Sequence, residues 1–342
     1  MTKGEIIKAF AELGIIMADA ASDSPFSSEA KWLRERMDDQ YLSNKWFTPG
    51  NVRFAVKSLS HMISRDNLEK WFNIYDIQSI RRTPLTVALV MAGNIPLVGF
   101  HDLLCVLASG NMALVKTSSK DPGLTMNITE ILGRINPLFS NRINFSGEAL
   151  SDYNAMIATG SDNSRRYFEY YFGSKPHLFR SNRSSLGLVV TGTTDEELRL
   201  LGRDIFSYFG LGCRNVSKLL VNRDFDTDRL TELWSGYRYL SEHQGWSNNY
   251  RYNRALFNIN GVKFTDGRSF LLTENSSLFP PLSVIHYQYY DNPSDATSDI
   301  ASGANKIQCI TGPGYIPYGK SQQPELWDYA DNIDTIRFLL TI

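Results

Sequence analysis

From Leu85 onward the apolar residues of this chain alternate between a period of two and a period near three and a half, and that alternation limits the folds open to it. The spacing predicts a strand over 85–91, a helix over 98–108, a strand over 112–116, a helix over 124–135 and a strand over 143–145. A further strand, 155–158, runs through Thr159, Gly160 and Ser161 into a helix over 163–172. Strand and helix in turn mark a parallel, doubly wound sheet. Ligands of such sheets bind beyond the carboxyl ends of the strands, where Asn94, Lys116 and Ser161 fall. No strand leads into GxGxxG, so the layout is that of a nucleotide-binding sheet without the usual dinucleotide fingerprint. The stretch from Leu85 to Val115 is apolar enough to raise a membrane span. Gly93, Asn94, Pro96, His101, Asp102, Gly110 and Asn111 interrupt it, and a buried strand, helix and strand account for it better, so no membrane span is expected.

Two flanking regions complete the plan. Residues 3–19 place Ile6, Ile7, Phe10, Leu13 and Ile16 near helical spacing, and helix patterns recur over 29–37 and 51–63. This helical prelude, 1–80, holds nothing catalytic and suits packing and homo-oligomer contacts. A nucleotide-binding lobe is expected over 81–185. Beyond it a strand over 187–190 leads to a helix begun by Thr194, with Glu197 three residues on as a capping box and apolar Leu198, Leu201, Ile205, Phe206 and Phe209 on one face. That helix is predicted to run through Phe209. A strand over 217–221 follows, then helical stretches over 227–241 and 248–257, strands near Phe270 and over 284–289, a helix from Ser294 and a strand over 306–311. These read as a second α/β lobe over 186–311, with 312–342 a tail returning to the body or to an oligomer interface. Two doubly wound α/β lobes with a cleft between them are therefore expected.

Composition narrows the partners. With 35 basic and 36 acidic residues the formal net charge is −1, so no global field recruits nucleic acid, and an anionic ligand must be held locally. Three cysteines, Cys105, Cys213 and Cys309, show no CxxC spacing, which speaks against a disulfide framework and against a metal site. A reducing cytoplasm fits them, and the charged start Met-Thr-Lys-Gly-Glu gives no export signal. Cys105, on the apolar face of the 98–108 helix, and Cys309, inside a strand, read as core. Cys213 differs. It stands in Gly-Leu-Gly-Cys-Arg-Asn (210 to 215), between a helix pattern and a strand pattern, with two glycines that let a substrate approach and Arg214 to favour the thiolate. Its other reading is a small apolar filler. The histidines, His61, His101, His177, His243 and His286, form no catalytic order, and Tyr167, Tyr170 and Tyr171 read as packing residues on one helix.

Ala-Gly-Asn-Ile-Pro (92 to 96), Ala-Ser-Gly-Asn-Met-Ala-Leu-Val-Lys (108 to 116), Ala-Thr-Gly-Ser (158 to 161) and Gly-Leu-Gly-Cys (210 to 213) form an ordered set. Together they resemble the aldehyde dehydrogenase superfamily, over about 83–222. Within it the sequence is most similar to the acyl-CoA reductases related to the fatty-acid reductase of bacterial bioluminescence, a likeness that includes Gln-Pro-Glu-Leu-Trp-Asp-Tyr-Ala-Asp (323 to 331). The resemblance implies an aldehyde-dehydrogenase-like fold and gives Cys213 the role of nucleophile. It gives Asn94 the oxyanion amide, Ser161 beside Gly160 a pyrophosphate contact, and Lys116 the adenosine ribose.

Departures from the family pattern sharpen this. Members that hydrolyse their thioester carry a glutamate in an E-L-G-G-K run upstream of the cysteine, whereas the corresponding stretch here is Phe-Arg-Ser-Asn-Arg-Ser-Ser (179 to 185). Arg180 and Arg183 stand there, to hold an anionic carrier or to be solvated. Many NAD-preferring members carry a carboxylate three residues after the ribose lysine; here Lys116 is followed by Thr117, Ser118, Ser119 and Lys120, which implies NADPH rather than NADH. The E-x-F-G-P-V segment is blurred to Glu274-Asn-Ser-Ser-Leu-Phe-Pro-Pro, so Glu274 or Ser277 is the ribose contact. The expectation is reduction of an acyl thioester, on CoA or an acyl-carrier protein, to an aldehyde through a Cys213 thioester. An acyl-phosphate reductase of the same superfamily and a catalytically inactive nucleotide-binding subunit are the alternatives.

Overall fold

The structure is a computed structural model that describes residues 1–75 and 83–342. The expected boundary between the helical prelude and the first lobe, at 80/81, lies outside the described residues. Helix α1 (Lys3–Ala20) opens on a capping box, in which Thr2 accepts from the Glu5 N–H and Glu5 accepts from the Thr2 N–H. It packs with α2 (Ser28–Ser43), α3 (Pro49–Met62) and α4 (Arg65–Ile74). Of the face read from the sequence, Ile6, Ile7, Phe10 and Leu13 are buried and Ile16 is partly buried; Met17, outside that reading, is fully buried and completes the core face of α1.

The alternating run then forms as predicted: β1 (Thr86–Val90), α5 (Phe100–Ala108), β2 (Met112–Lys116), α6 (Leu124–Ile135), β3 (Ile143–Phe145), β4 (Ala155–Thr159) and α7 (Asp162–Phe172). The apolar run over 85–115 is β1, α5 and β2, and among the described residues no helix is long and apolar enough to cross a membrane. A strand absent from the sequence reading, β5 (His177–Arg180), adds an edge, and the five parallel strands lie in the order β3-β2-β1-β4-β5. Chain direction across this sheet reverses between β1 and β4. The loops carrying Asn94 and Ser161 therefore flank the topological switch point, where doubly wound sheets hold their ligands.

A second compact unit spans Arg183–Gln322. It contains β6 (Ser184–Val189), α8 (Asp195–Phe206), β7 (Val216–Asn222), α9 (Arg229–Leu233), α10 (Gln244–Ile259), β8 (Thr265–Asp266), β9 (Leu271–Glu274), β10 (Val284–Tyr290), α11 (Pro293–Gly303) and β11 (Ile307–Thr311). Its strands lie in the order β11-β6-β7-β10-β9-β8, parallel except for β8. The Thr194–Glu197 capping box is present. The predicted continuation of that helix to Phe209 is not: α8 stops at Phe206, and Tyr208, Phe209 and Gly210 all have positive φ. Three successive left-handed residues cannot extend a right-handed helix.

The last residues, Gln323–Ile342 with helix α12 (Thr335–Thr341), belong to the first unit. Leu326, Ile336 and Leu339 are buried in that unit's core, and polar contacts add to them. Trp71 Nε1–H donates to the Tyr329 hydroxyl at 2.7 Å, Asn67 donates to Glu325 at 3.0 Å, and His101 Nε2 donates to the Leu326 carbonyl at 2.9 Å. Beside them Arg180, 2% exposed, donates to Asp102 at 2.5 Å and to the carbonyl of Ala330 and the hydroxyl of Thr335. The reading of Arg180 as a carrier-holding or solvated cation is corrected here. Burial works against its charge, but the Asp102 carboxylate outweighs that and holds the guanidinium protonated.

Candidate functional site

Cys213 stands, partly exposed, in the turn between α8 and β7. A residue to which the sequence reading gave no role, Asn215, builds that turn. Its Nδ2 donates to the carbonyls of Asp204 (3.1 Å), Ile205 (3.2 Å) and Ser207 (2.8 Å), carbonyls left without helical partners where α8 ends. Its Oδ1 accepts the Gly212 N–H at 2.8 Å, while the Asn215 N–H donates to the Gly212 carbonyl at 3.0 Å. One buried amide thus caps the helix and closes the turn that holds the thiol. An asparagine just after a Gly-x-Gly turn at a helix end was the available signal.

One further residue holds the Cys213 backbone. Ser185 on β6, fully buried, donates its hydroxyl to the Cys213 carbonyl at 3.0 Å. The same oxygen accepts the Cys309 N–H at 3.2 Å and lies 3.0 Å from the Cys309 thiol. The expectation that Cys309 is core is corrected: it is partly exposed, because β11 is the edge strand of its sheet. Cys105 is core, fully buried on α5, and burial pushes its thiol well up. Arg214 Nε–H donates to the Ser321 carbonyl at 2.6 Å. Asp204 takes the N–H groups of Gly319 (2.7 Å) and Ser321 (2.9 Å), so its carboxylate and Arg214 grip one short segment beside the Cys213 turn. Burial raises the Asp204 pKa, against those two N–H groups.

In the first unit, Asn94 lies half-buried in the loop after β1, and Lys116 ends β2, its ammonium donating to the Glu148 carbonyl at 3.1 Å. Thr117 is half-buried beside it, and Ser119 is exposed. Ser161 is the N-cap of α7, accepting the Ser164 N–H at 3.2 Å. Gly160 is packed so closely that a Cβ would stand 2.6 Å from that of Ser164, so the backbone meets the helix start with no side chain between. Bare backbone and a helix N-terminus beside the switch point suit the phosphates of a nucleotide. Tyr167, Tyr170 and Tyr171 on α7 do not pack as expected: they are 56, 82 and 58% exposed and meet chiefly one another, Tyr167 and Tyr171 at 4.3 Å between ring centroids.

Glu274 is exposed at the end of β9, on a cavity of about 540 Å³ lined also by Lys263, Asn275, Ser276 and Gln288. The segment after it crosses back toward β10 with three successive carbonyls held. Lys218 donates to Ser276 (2.7 Å), His286 Nδ1–H to Ser277 (2.8 Å) and Ser217 to Leu278 (2.6 Å). Strands β7 and β10 thereby fix the backbone on which both candidate contacts, Glu274 and Ser277, ride.

Residues 29–143 match the model of the acyl-CoA reductase (LuxC) family. No curated protein matches the chain in sequence. Its fold is that of the aldehyde dehydrogenases. Aldehyde dehydrogenase 21 from Physcomitrella patens, in complex with succinate, superposes with a TM-score of 0.64 at 14% identity over 92% of this chain and 74% of that one. A putative aldehyde dehydrogenase from Burkholderia cenocepacia gives 0.66 at 11% identity over 91 and 74%. Aldehyde dehydrogenase C from Pseudomonas syringae, complexed with NAD+ and octanal, gives 0.63 at 14% identity over 90 and 71%.

Proposed function

We propose that this chain, which joins an acyl-CoA reductase family match to an aldehyde dehydrogenase fold, reduces an acyl thioester to an aldehyde at Cys213, with NADPH as reductant. One observation carries the reading. The segment that holds the hydrolytic base in the family pattern reaches Cys213 here through Ser185, a serine already engaged with the Cys213 carbonyl, and 179–185 contains no carboxylate.

The Cys213 thiolate attacks the acyl carbonyl of CoA or an acyl-carrier protein. The Asn94 amide and the Cys213 backbone N–H are assigned to the oxyanion, which collapses to expel the carrier thiolate and leave an acyl-Cys213 thioester. Rapid hydrolysis of that thioester needs a base to activate water, help worth about 10² to 10⁴-fold, and none stands on β6. The thioester therefore persists. Ser161 and Gly160 would hold the phosphates of the nucleotide and Lys116, Thr117 and Ser119 its adenosine ribose, and the group would supply a hydride to the thioester carbon. The resulting thiohemiacetal on Cys213 breaks its C–S bond to release the aldehyde. With Thr117 to Lys120 offering hydroxyls and an ammonium and no carboxylate, a ribose 2′-phosphate is favoured.

The test is product analysis. Purified protein with acyl-CoA and NADPH should yield aldehyde and free CoA, with a lower kcat/KM for NADH. Conversion of aldehyde and NAD(P)+ to free acid without CoA, at a rate matching reduction, would overturn the reading. Faster turnover of acyl phosphate than of acyl-CoA would move the donor to that class.

A further inference from the structure

The loop that carries Asn94 is tied at three points to the segment that carries Lys116 to Lys120. At the strand ends the Met91 N–H donates to the Lys116 carbonyl at 3.0 Å. Next, Gly93 approaches Ser118 so closely that a Cβ would stand 2.7 Å from Ser118 Cβ and Oγ, and 3.1 Å from the Asp121 nitrogen. Only glycine permits that contact. At the far end the Leu97 N–H donates to Asp121 Oδ2 at 3.1 Å, from a residue whose φ of 59° is costly outside glycine.

Asp121 is an expensive choice for a packing role. It is 4% exposed, and its second carboxylate oxygen, Oδ1, is buried without a hydrogen-bond partner. Burial pushes its pKa up, against the hydrogen bond from the Leu97 N–H and the nearby Leu124 N–H at the start of α6, which does not reach hydrogen-bond geometry. An apolar side chain would fill the same space without desolvating a carboxylate. What an apolar side chain cannot do is accept the Leu97 N–H and so hold a left-handed residue three places after Asn94.

We propose that Asp121 is a positioning residue whose carboxylate latches the Asn94 loop to the segment 116–121, so that the nucleotide-binding segment and the oxyanion amide are set as one unit. The proposal rests on the roles given above to Asn94 and Lys116. It adds a coupling: a nucleotide that orders 116–121 also stiffens 92–97, and by linkage an ordered Asn94 loop favours the nucleotide.

Hydrogen exchange on the full chain tests the latch without reference to catalysis. In the natural protein NADPH should slow exchange in peptides covering 92–99. In Asp121→Ala those amides should exchange faster and lose their response to NADPH, while Asp121→Asn, which keeps a carbonyl acceptor for Leu97, should restore it. Gly93→Ala, which forces the two loops apart without touching Asp121, should reproduce the loss if Asp121→Ala fails to fold. In kinetics Asp121→Ala should lower kcat roughly 10- to 100-fold. Adding Asn94→Ala to it should then cost far less than Asn94→Ala alone. Unchanged exchange over 92–99 in Asp121→Ala, or strictly additive effects of the two substitutions, overturns the latch. Should Asn94→Ala alone leave kcat unchanged, the oxyanion role falls and the exchange result decides the latch by itself.

Discussion

The side-chain oxygen of Asn215 accepts the Gly212 N–H at 2.8 Å, so the turn that presents Cys213 is closed by the residue two places after it. The same side chain caps α8 through three carbonyls, which makes the geometry of the thiol and the end of the helix a single feature. Asn215→Ala leaves those buried groups unpaired and should cost roughly 2–4 kcal/mol of stability, read from urea unfolding. It should also change the rate at which iodoacetamide alkylates Cys213. A variant as stable as the natural protein would show that the turn is held by other contacts.

Of the three cysteines, only Cys213 should be essential. Cys213→Ala should abolish aldehyde formation, since no other thiol sits in its turn. Cys105→Ala removes a fully buried side chain from α5 and should affect stability rather than chemistry. Cys309→Ala tests Ser185: the Cys309 N–H remains as a donor, so the Ser185 hydroxyl should stay on the Cys213 carbonyl and kcat should change little. Full activity in Cys213→Ala would end the covalent mechanism.

Arg180 and Asp102 form a buried pair, and removing one partner strands the other charge. Arg180→Ala should therefore destabilise the protein by about 3–5 kcal/mol. Its KM for acyl-CoA, measured at a temperature where the variant is folded, should not move, because the guanidinium binds the C-terminal segment at Ala330 and Thr335. A large rise in KM without loss of stability would return Arg180 to the carrier-binding role.

Much of the architecture was legible because local pattern and tertiary context agree. Met112–Lys116, Leu124–Ile135 and Ile143–Phe145 have the predicted bounds, each being an apolar run closed by turn residues. Where tertiary contacts override local pattern, the sequence misleads. Phe209 continues the apolar face of α8, yet Asn215 takes the helix's last carbonyls and turns the chain at Tyr208. Arg180 looks like a surface cation until Asp102, 78 residues earlier, is found beside it. Asn94, Lys116, Ser161 and Cys213 could be singled out because each sits next to glycine or at a strand end. Asn215 acts on its own turn and helix end, where Gly-x-Gly marks it, whereas Ser185 and Asp121 act through backbone groups of distant residues, Cys213 and Leu97, which no one-dimensional spacing reveals.

The final prediction concerns acid. His286 is 5% exposed on β10, and its pKa is lowered by burial and by Lys218, against the Ser277 hydrogen bond. A carbonyl can only accept, so Nδ1 carries the proton toward Ser277 in the neutral ring and in the cation alike. Protonation at Nε2 therefore keeps that bond and adds a buried charge near the Lys218 ammonium. In the unfolded chain the imidazole takes a proton near its ordinary value of 6.5, while the native one resists until lower pH. The unfolded state then binds more protons, so stability falls as pH drops below 6.5, by at most about 1.4 kcal/mol per pH unit, until the native ring also protonates. Above that value the contribution is complete and flat. His101, whose pKa burial also lowers, acts in the same direction. Urea midpoints should therefore decline from pH 7.5 to pH 5.5, and His286→Asn, whose amide can still donate to Ser277, should make that decline shallower. An identical decline in the variant would remove His286 from the acid response.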